Sequence, residues 1–134
     1  MTKLLDVEGI GGMYAAKLIE AGIRTAEALL TMGATPKGRK EIAEKTGISE
    51  KLVLEWVNHV DLFRIKGVGE EYSDLLEEAG VDTVVELAQR NPQNLMAKMQ
   101  EVNAAKKLVR QLPVLAQVES WVEQAKKLER MIQY

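Results

Sequence analysis

Gly9-Ile10-Gly11-Gly12 and Gly67-Val68-Gly69 are the residues of this chain best suited to chemistry, and that chemistry is anion binding. Paired glycines let the backbone take positive φ and let a partner approach the main chain closely. A helix that begins at the second glycine has first-turn N–H groups without intrahelical partners. Those donors, together with the positive end of the helix dipole, form a site whose natural guest is a phosphate. Ile10 and Val68, between the glycines, are placed to plug each turn into a core. A contact of this kind positions a nucleic-acid backbone and reads no sequence.

Charge separates the two copies. Over residues 8–24, Lys17 and Arg24 balance Glu8 and Glu20. Over residues 66–82, Lys66 stands alone against Glu70, Glu71, Asp74, Glu77, Glu78 and Asp82, with Glu70 and Glu71 where a phosphate would dock. The first copy is therefore the better phosphate candidate. Gly12 leaves its backbone open, and Lys17 follows about one and a half turns along the helix. Lys37, Arg39 and Lys40 form the densest basic cluster nearby. A second basic group, Lys98, Lys106, Lys107 and Arg110, lies later in the chain with Glu101. Either group also reads as an ordinary solvated helix face.

The elements that must position these residues are helical and come twice. Val7-Glu8-Gly9-Ile10-Gly11-Gly12-Met13-Tyr14 matches Ile65-Lys66-Gly67-Val68-Gly69-Glu70-Glu71-Tyr72, 58 residues on. Leu18, Glu20, Ala21, Gly22, Thr25 and Leu29 recur as Leu76, Glu78, Ala79, Gly80, Thr83 and Leu87 at the same offset, which marks one supersecondary unit used twice. Tyr14, Leu18 and Ala21 give a helical apolar stripe, as do Tyr72, Leu76 and Ala79. Gly22 and Gly80 predict left-handed caps. Thr25 and Thr83 predict the next N-caps, with Glu86 completing a capping box. Thr35-Pro36 and Asn91-Pro92 read as an N-cap followed by proline at the first helical position. Val53-Leu54-Glu55-Trp56-Val57 resembles Val118-Glu119-Ser120-Trp121-Val122, so the second copy carries extra residues before its tryptophan. Both tryptophans read as packing anchors. No Ser/Gly-rich linker divides the copies, so residues 1–60 and 61–134 are expected to pack as one body.

Residues 39–53 have helix-turn-helix spacing, with Ala43, Gly47, Ile48 and Val53 at the packing positions and Ser49 as a cap. The second helix of that pair offers Glu50, Lys51, Leu54 and Glu55, without Arg, Asn or Gln suited to base edges, so the segment reads as packing.

Composition bounds the rest. At 134 residues, 46% hydrophobic, the chain can fill one core or two small lobes. A net charge of −2 and a pI near 5.6 count against strong autonomous DNA binding, since phosphate neutralisation supplies most of that affinity. Without cysteine there is no disulfide or thiolate metal site. Apolar runs are too short for a bilayer and no signal-peptide pattern opens the chain, so a soluble cytoplasmic protein without a membrane partner is expected. His59 has no catalytic companions in sequence. No cofactor, metal or catalytic residue is expected, and a lysine-dependent lyase is the alternative that inspection leaves open, because it needs only a desolvated lysine.

The hydrophobic-x-Gly-hydrophobic-Gly segments resemble the tandem helix-hairpin-helix modules of DNA repair, recombination and polymerase proteins. Nearly the whole chain resembles an uncharacterised, largely bacterial family carrying a domain of unknown function, through Val7–Gly11, Gly33–Lys40, Glu55–Val57, Arg64–Gly69 and Ser120–Lys126. The resemblance implies an all-α, compact pseudo-symmetric body built from two helix-hairpin-helix units. It implies nucleic-acid, chiefly DNA, backbone binding. The acidic second copy favours a different reading, a protein-interaction module whose hairpins are purely structural.

Overall fold

Nine short helical segments make up the described part of the computed structural model, which covers residues 2–134. A short 3-10 helix (Leu4–Asp6) precedes α1 (Gly12–Glu20), α2 (Ala26–Met32), α3 (Pro36–Thr46) and α4 (Glu50–Leu62). Then follow α5 (Glu70–Glu78), α6 (Val84–Ala88), α7 (Pro92–Lys106) and α8 (Leu115–Lys127). No strand occurs among the described residues; an isolated antiparallel bridge joins Lys3 to Thr25.

The start signals act through named hydrogen bonds. Thr25 Oγ1 accepts from Ala28 N at 3.1 Å, Thr35 Oγ1 from Gly38 N at 3.1 Å and Asn91 Oδ1 from Asn94 N at 3.0 Å. Thr83 caps α6 through Glu86 N at 3.4 Å. The reciprocal arm of its capping box reaches one residue further than expected: Glu86 Oε2 accepts from Asp82 N, not from the cap itself. The stop signals are Schellman turns. Ile23 N donates to Leu18 O and Gly22 N to Ile19 O, each at 2.9 Å, with Gly22 at φ 90°. Val81, Leu76, Gly80 and Glu77 repeat those bonds, with Gly80 at φ 95°.

The chain divides into two compact units. One runs through Asp61 and takes back Met131–Tyr134; the other is Leu62–Arg130. In the first, α3 packs against α1 and α2, over buried Leu18, Ile23, Leu29, Ile42 and Trp56. In the second, α8 packs on α6 and α7, and α7 on α5, around Leu75, Leu76, Leu87, Leu95, Met99 and Trp121. The extra residues of the second unit lengthen α7 to 15 residues, against 11 in α3, and widen the connection that follows it. Trp56 in α4 and Trp121 in α8 are each the seventh residue of their helix.

The last four residues, which the sequence division groups with the second unit, belong to the first. Gln133 N donates to Ala34 O at 2.8 Å, Tyr134 Oη to Asn58 Oδ1 at 3.2 Å, and Ile132 is buried. Chain order does not reveal this return, because the tail carries no motif and its bonds run mainly to backbone.

Lys107 closes α7 at φ 53°, the one non-glycine residue with positive φ among the described residues. A Cβ in this region crowds the following carbonyl. Lys107→Gly is expected to raise stability by about 0.5–1 kcal/mol, the relieved strain being partly offset by glycine's greater unfolded entropy. Urea denaturation at neutral pH checks it; a loss of stability would show that Lys107 contributes more through its side chain than its backbone costs.

Candidate nucleic-acid interface

The first hairpin is fixed from beneath. Gly9 takes φ 91°, which favours glycine, and a Cβ there would lie a tight 3.1 Å from Trp56 Nε1. Gly67 is its counterpart, at φ 95° and 3.2 Å from Trp121 Nε1. Tyr14 meets the Trp56 ring edge-on at 5.1 Å, and Tyr72 meets Trp121 at 5.2 Å. Ile10 and Val68 are buried beneath their turns, each at 4% exposure. In the second unit Gln124 of α8 also clasps the turn, accepting from Lys66 N at 2.9 Å and donating to Lys66 O at 3.4 Å. His59 occupies the equivalent place on α4, three residues after its tryptophan, and is buried there. Burial at that position makes the lone histidine part of the packed interior of its unit.

Only the first glycine of each pair needs positive φ. Gly11 is extended, at φ −91° and ψ −175°, and serves as the N-cap of α1 without a side-chain cap bond. Gly69 does the same for α5. A Cβ on Gly11, Gly12 or Gly69 would meet nothing within 4 Å. The fold therefore explains Gly9 and Gly67 but does not require Gly11, Gly12 or Gly69. At the start of α1 this leaves a bare, exposed helix end. At the start of α5, Glu70 and Glu71 already supply the negative charge that a helix N-terminus favours.

The basic residues are not all brought together. Lys17, Lys37 and Lys40 are exposed. Arg39 is not part of their surface: it is 6% exposed, and its guanidinium donates to Gly33 O at 2.9 Å and Gln133 O at 2.8 Å. Burial lowers its pKa, while Tyr134 and Glu50 act the other way. It remains a cation, but one committed to the α2–α3 turn and the returning tail. The helix period explains the difference, since Lys37 and Lys40 are three apart and share a face of α3, whereas Arg39, two residues from one and one from the other, points away from it. The helix that carries Lys37 and Lys40 also lies by the C-terminal end of α1, where Gly38, Glu41, Ile42 and Lys45 share a recess with Ala21 and Ile23. Of the later basic group, Lys106 pairs with Glu78 at 2.6 Å and Lys98 with Glu101 at 3.9 Å.

No motif marks a second concavity of the first unit. A cleft of about 420 Å³ is lined by Leu4, Leu5, Ala15 and Ile19 and bordered by Lys3 and Arg24. Its hint in the sequence is that Leu5 and Ile19 are apolar yet lie outside the Tyr14, Leu18, Ala21 stripe. Beside it, Glu27 accepts from Thr2 N at 2.9 Å; burial raises the Glu27 pKa, and hydrogen bonds outweigh this to leave it lowered. No group of three or more His, Asp or Glu among the described residues could hold a metal ion, and no described helix is long and apolar enough to cross a membrane.

These features define an all-helical protein of two units, each with a glycine turn held from below by a helix-borne tryptophan. Over residues 8–128 the chain matches the family described as a domain of unknown function, DUF4332, and it belongs to that family. No curated protein and no solved structure matches it.

Proposed function

We propose that the first unit is a non-catalytic, sequence-independent nucleic-acid binder that holds a backbone phosphate at the start of α1, in the manner of a helix-hairpin-helix. The observation that carries this reading is the bare helix end: Gly11 and Gly12 are exposed, uncapped by any side chain, and not required by packing. First-turn N–H groups there are free to face an anion, and Lys17 follows on the same helix. Lys37 and Lys40, on the helix by the other end of α1, would meet a neighbouring phosphate of the same backbone. Glu70 and Glu71 argue against an equal role for Gly67, Val68 and Gly69. The absence of base-reading side chains supports contact with backbone alone. Lys3 and Lys45, which border the two concavities described above, are exposed rather than desolvated, and so lack the environment that a Schiff-base lysine needs.

Gly12→Glu tests the reading because its two effects have opposite signs. It copies Glu70, its counterpart in the second unit. Stability should rise by about 0.5–1 kcal/mol, from better helix propensity and a favourable dipole contact. Affinity for labelled duplex or single-stranded DNA, read by fluorescence anisotropy at low salt, should fall more than about tenfold. Joint charge reversal of Lys17, Lys37 and Lys40 should weaken binding by about 1–2 kcal/mol and flatten its salt dependence. A Gly12→Glu protein that binds DNA as well as the parent would sink the site assignment.

A further inference from the structure

We infer that the cleft between the 3-10 helix and α1 is a docking groove for an acidic amphipathic helix of a partner protein, separate from the phosphate site. Leu5 is 57% exposed and Ile19 45% exposed, so apolar surface stands open at the centre of a concavity of about 420 Å³. Ala15 and Ile19 lie one turn apart on α1 and form one wall. Such a wall suits anchors that are also one turn apart on a partner helix.

The edges of the groove set the sign of that partner. Lys3 and Arg24 are both exposed and both border the cleft, so an apolar anchor flanked by carboxylates fits where one flanked by cations does not. A nucleic-acid backbone is the poorer occupant, because the centre of the groove would strip water from phosphates and return no hydrogen bond.

The second unit shows that the fold does not require this surface. At the positions of Ala15, Ile19 and Arg24 it carries Ser73, Glu77 and Asp82, within the same hairpin and the same Schellman turn. Phe63 keeps an apolar residue at the position of Leu5, but the apolar wall on the first helix and the basic edge are the first unit's own. This inference does not depend on DNA binding, and either can fail without the other.

Isotope-labelled protein titrated with a short peptide tests it. The peptide carries two leucines one helical turn apart, flanked by glutamates; a control replaces the glutamates with lysines. Amide resonances of Ala15, Ile19 and Arg24 are expected to shift with the acidic peptide, and the control should bind at least about tenfold more weakly. Ile19→Glu and Arg24→Asp, each copying a residue the second unit accommodates, should each weaken the acidic peptide by about tenfold or more while leaving the spectrum folded. Equal affinity for the two peptides, indifference to both substitutions, or no shift at those amides would overturn the proposal. So would duplex DNA that shifts the same amides and loses affinity on Ile19→Glu, since the groove would then belong to nucleic acid.

Discussion

Arg39→Met should lower the unfolding free energy by about 3 kcal/mol, far more than removal of either neighbouring lysine, because one of its charge-assisted bonds is buried and the other part-buried. Methionine keeps most of the stem but offers no donor. The Gly33 carbonyl, in a buried residue, and the Gln133 carbonyl would both lose their partner. The tail should loosen as well, although Gln133 N to Ala34 O and Tyr134 Oη to Asn58 Oδ1 would still tie it to the body of the first unit. Urea denaturation measures the first effect, and amide exchange at residues 131–134 the second. Lys37→Met and Lys40→Met, at exposed positions, should stay within about 0.5 kcal/mol of the parent. An Arg39→Met protein that kept its stability but lost DNA affinity would return Arg39 to the binding surface and remove its structural role.

The second large effect is expected from Trp56→Ala, at about 3–5 kcal/mol. Trp56 is 1% exposed, touches Tyr14 edge-on and lies against the Gly9 turn, so its loss opens a cavity directly beneath the hairpin. Its indole Nε1 is buried without an acceptor, which makes Trp56→Phe informative. Phenylalanine loses volume but removes an unsatisfied donor, and should cost clearly less than alanine. Circular dichroism melts of the two variants, with Trp121→Ala as a parallel, provide the measurement. A Trp56→Ala cost below about 1 kcal/mol, the scale of an ordinary substitution, would mean that the tryptophan is not the anchor of its unit.

Within one turn or one helix, the sequence determined most of this protein. Thr25, Thr35, Thr83 and Asn91 cap the helices they precede, and Gly22 and Gly80 stop theirs, because capping depends on residues three or four positions apart. The doubled motif marked the matched burial of Ile10 with Val68 and of Trp56 with Trp121, since a repeated apolar pattern faces a similar environment. Tertiary structure alone decided three things. It took Arg39 from a surface cluster into a part-buried bond with a tail 94 residues away, a pairing without a local signature. It divided the glycines by role: Gly9 and Gly67 by left-handed backbone and a tryptophan close against them, Gly11 and Gly12 by the absence of any neighbour. It also gathered Lys3, Leu5, Ile19 and Arg24 around one cleft, although no periodicity links them. The physical reason is common to all three: periodicity and capping are encoded over a few residues, whereas burial and juxtaposition depend on which distant surfaces the folded chain brings into contact.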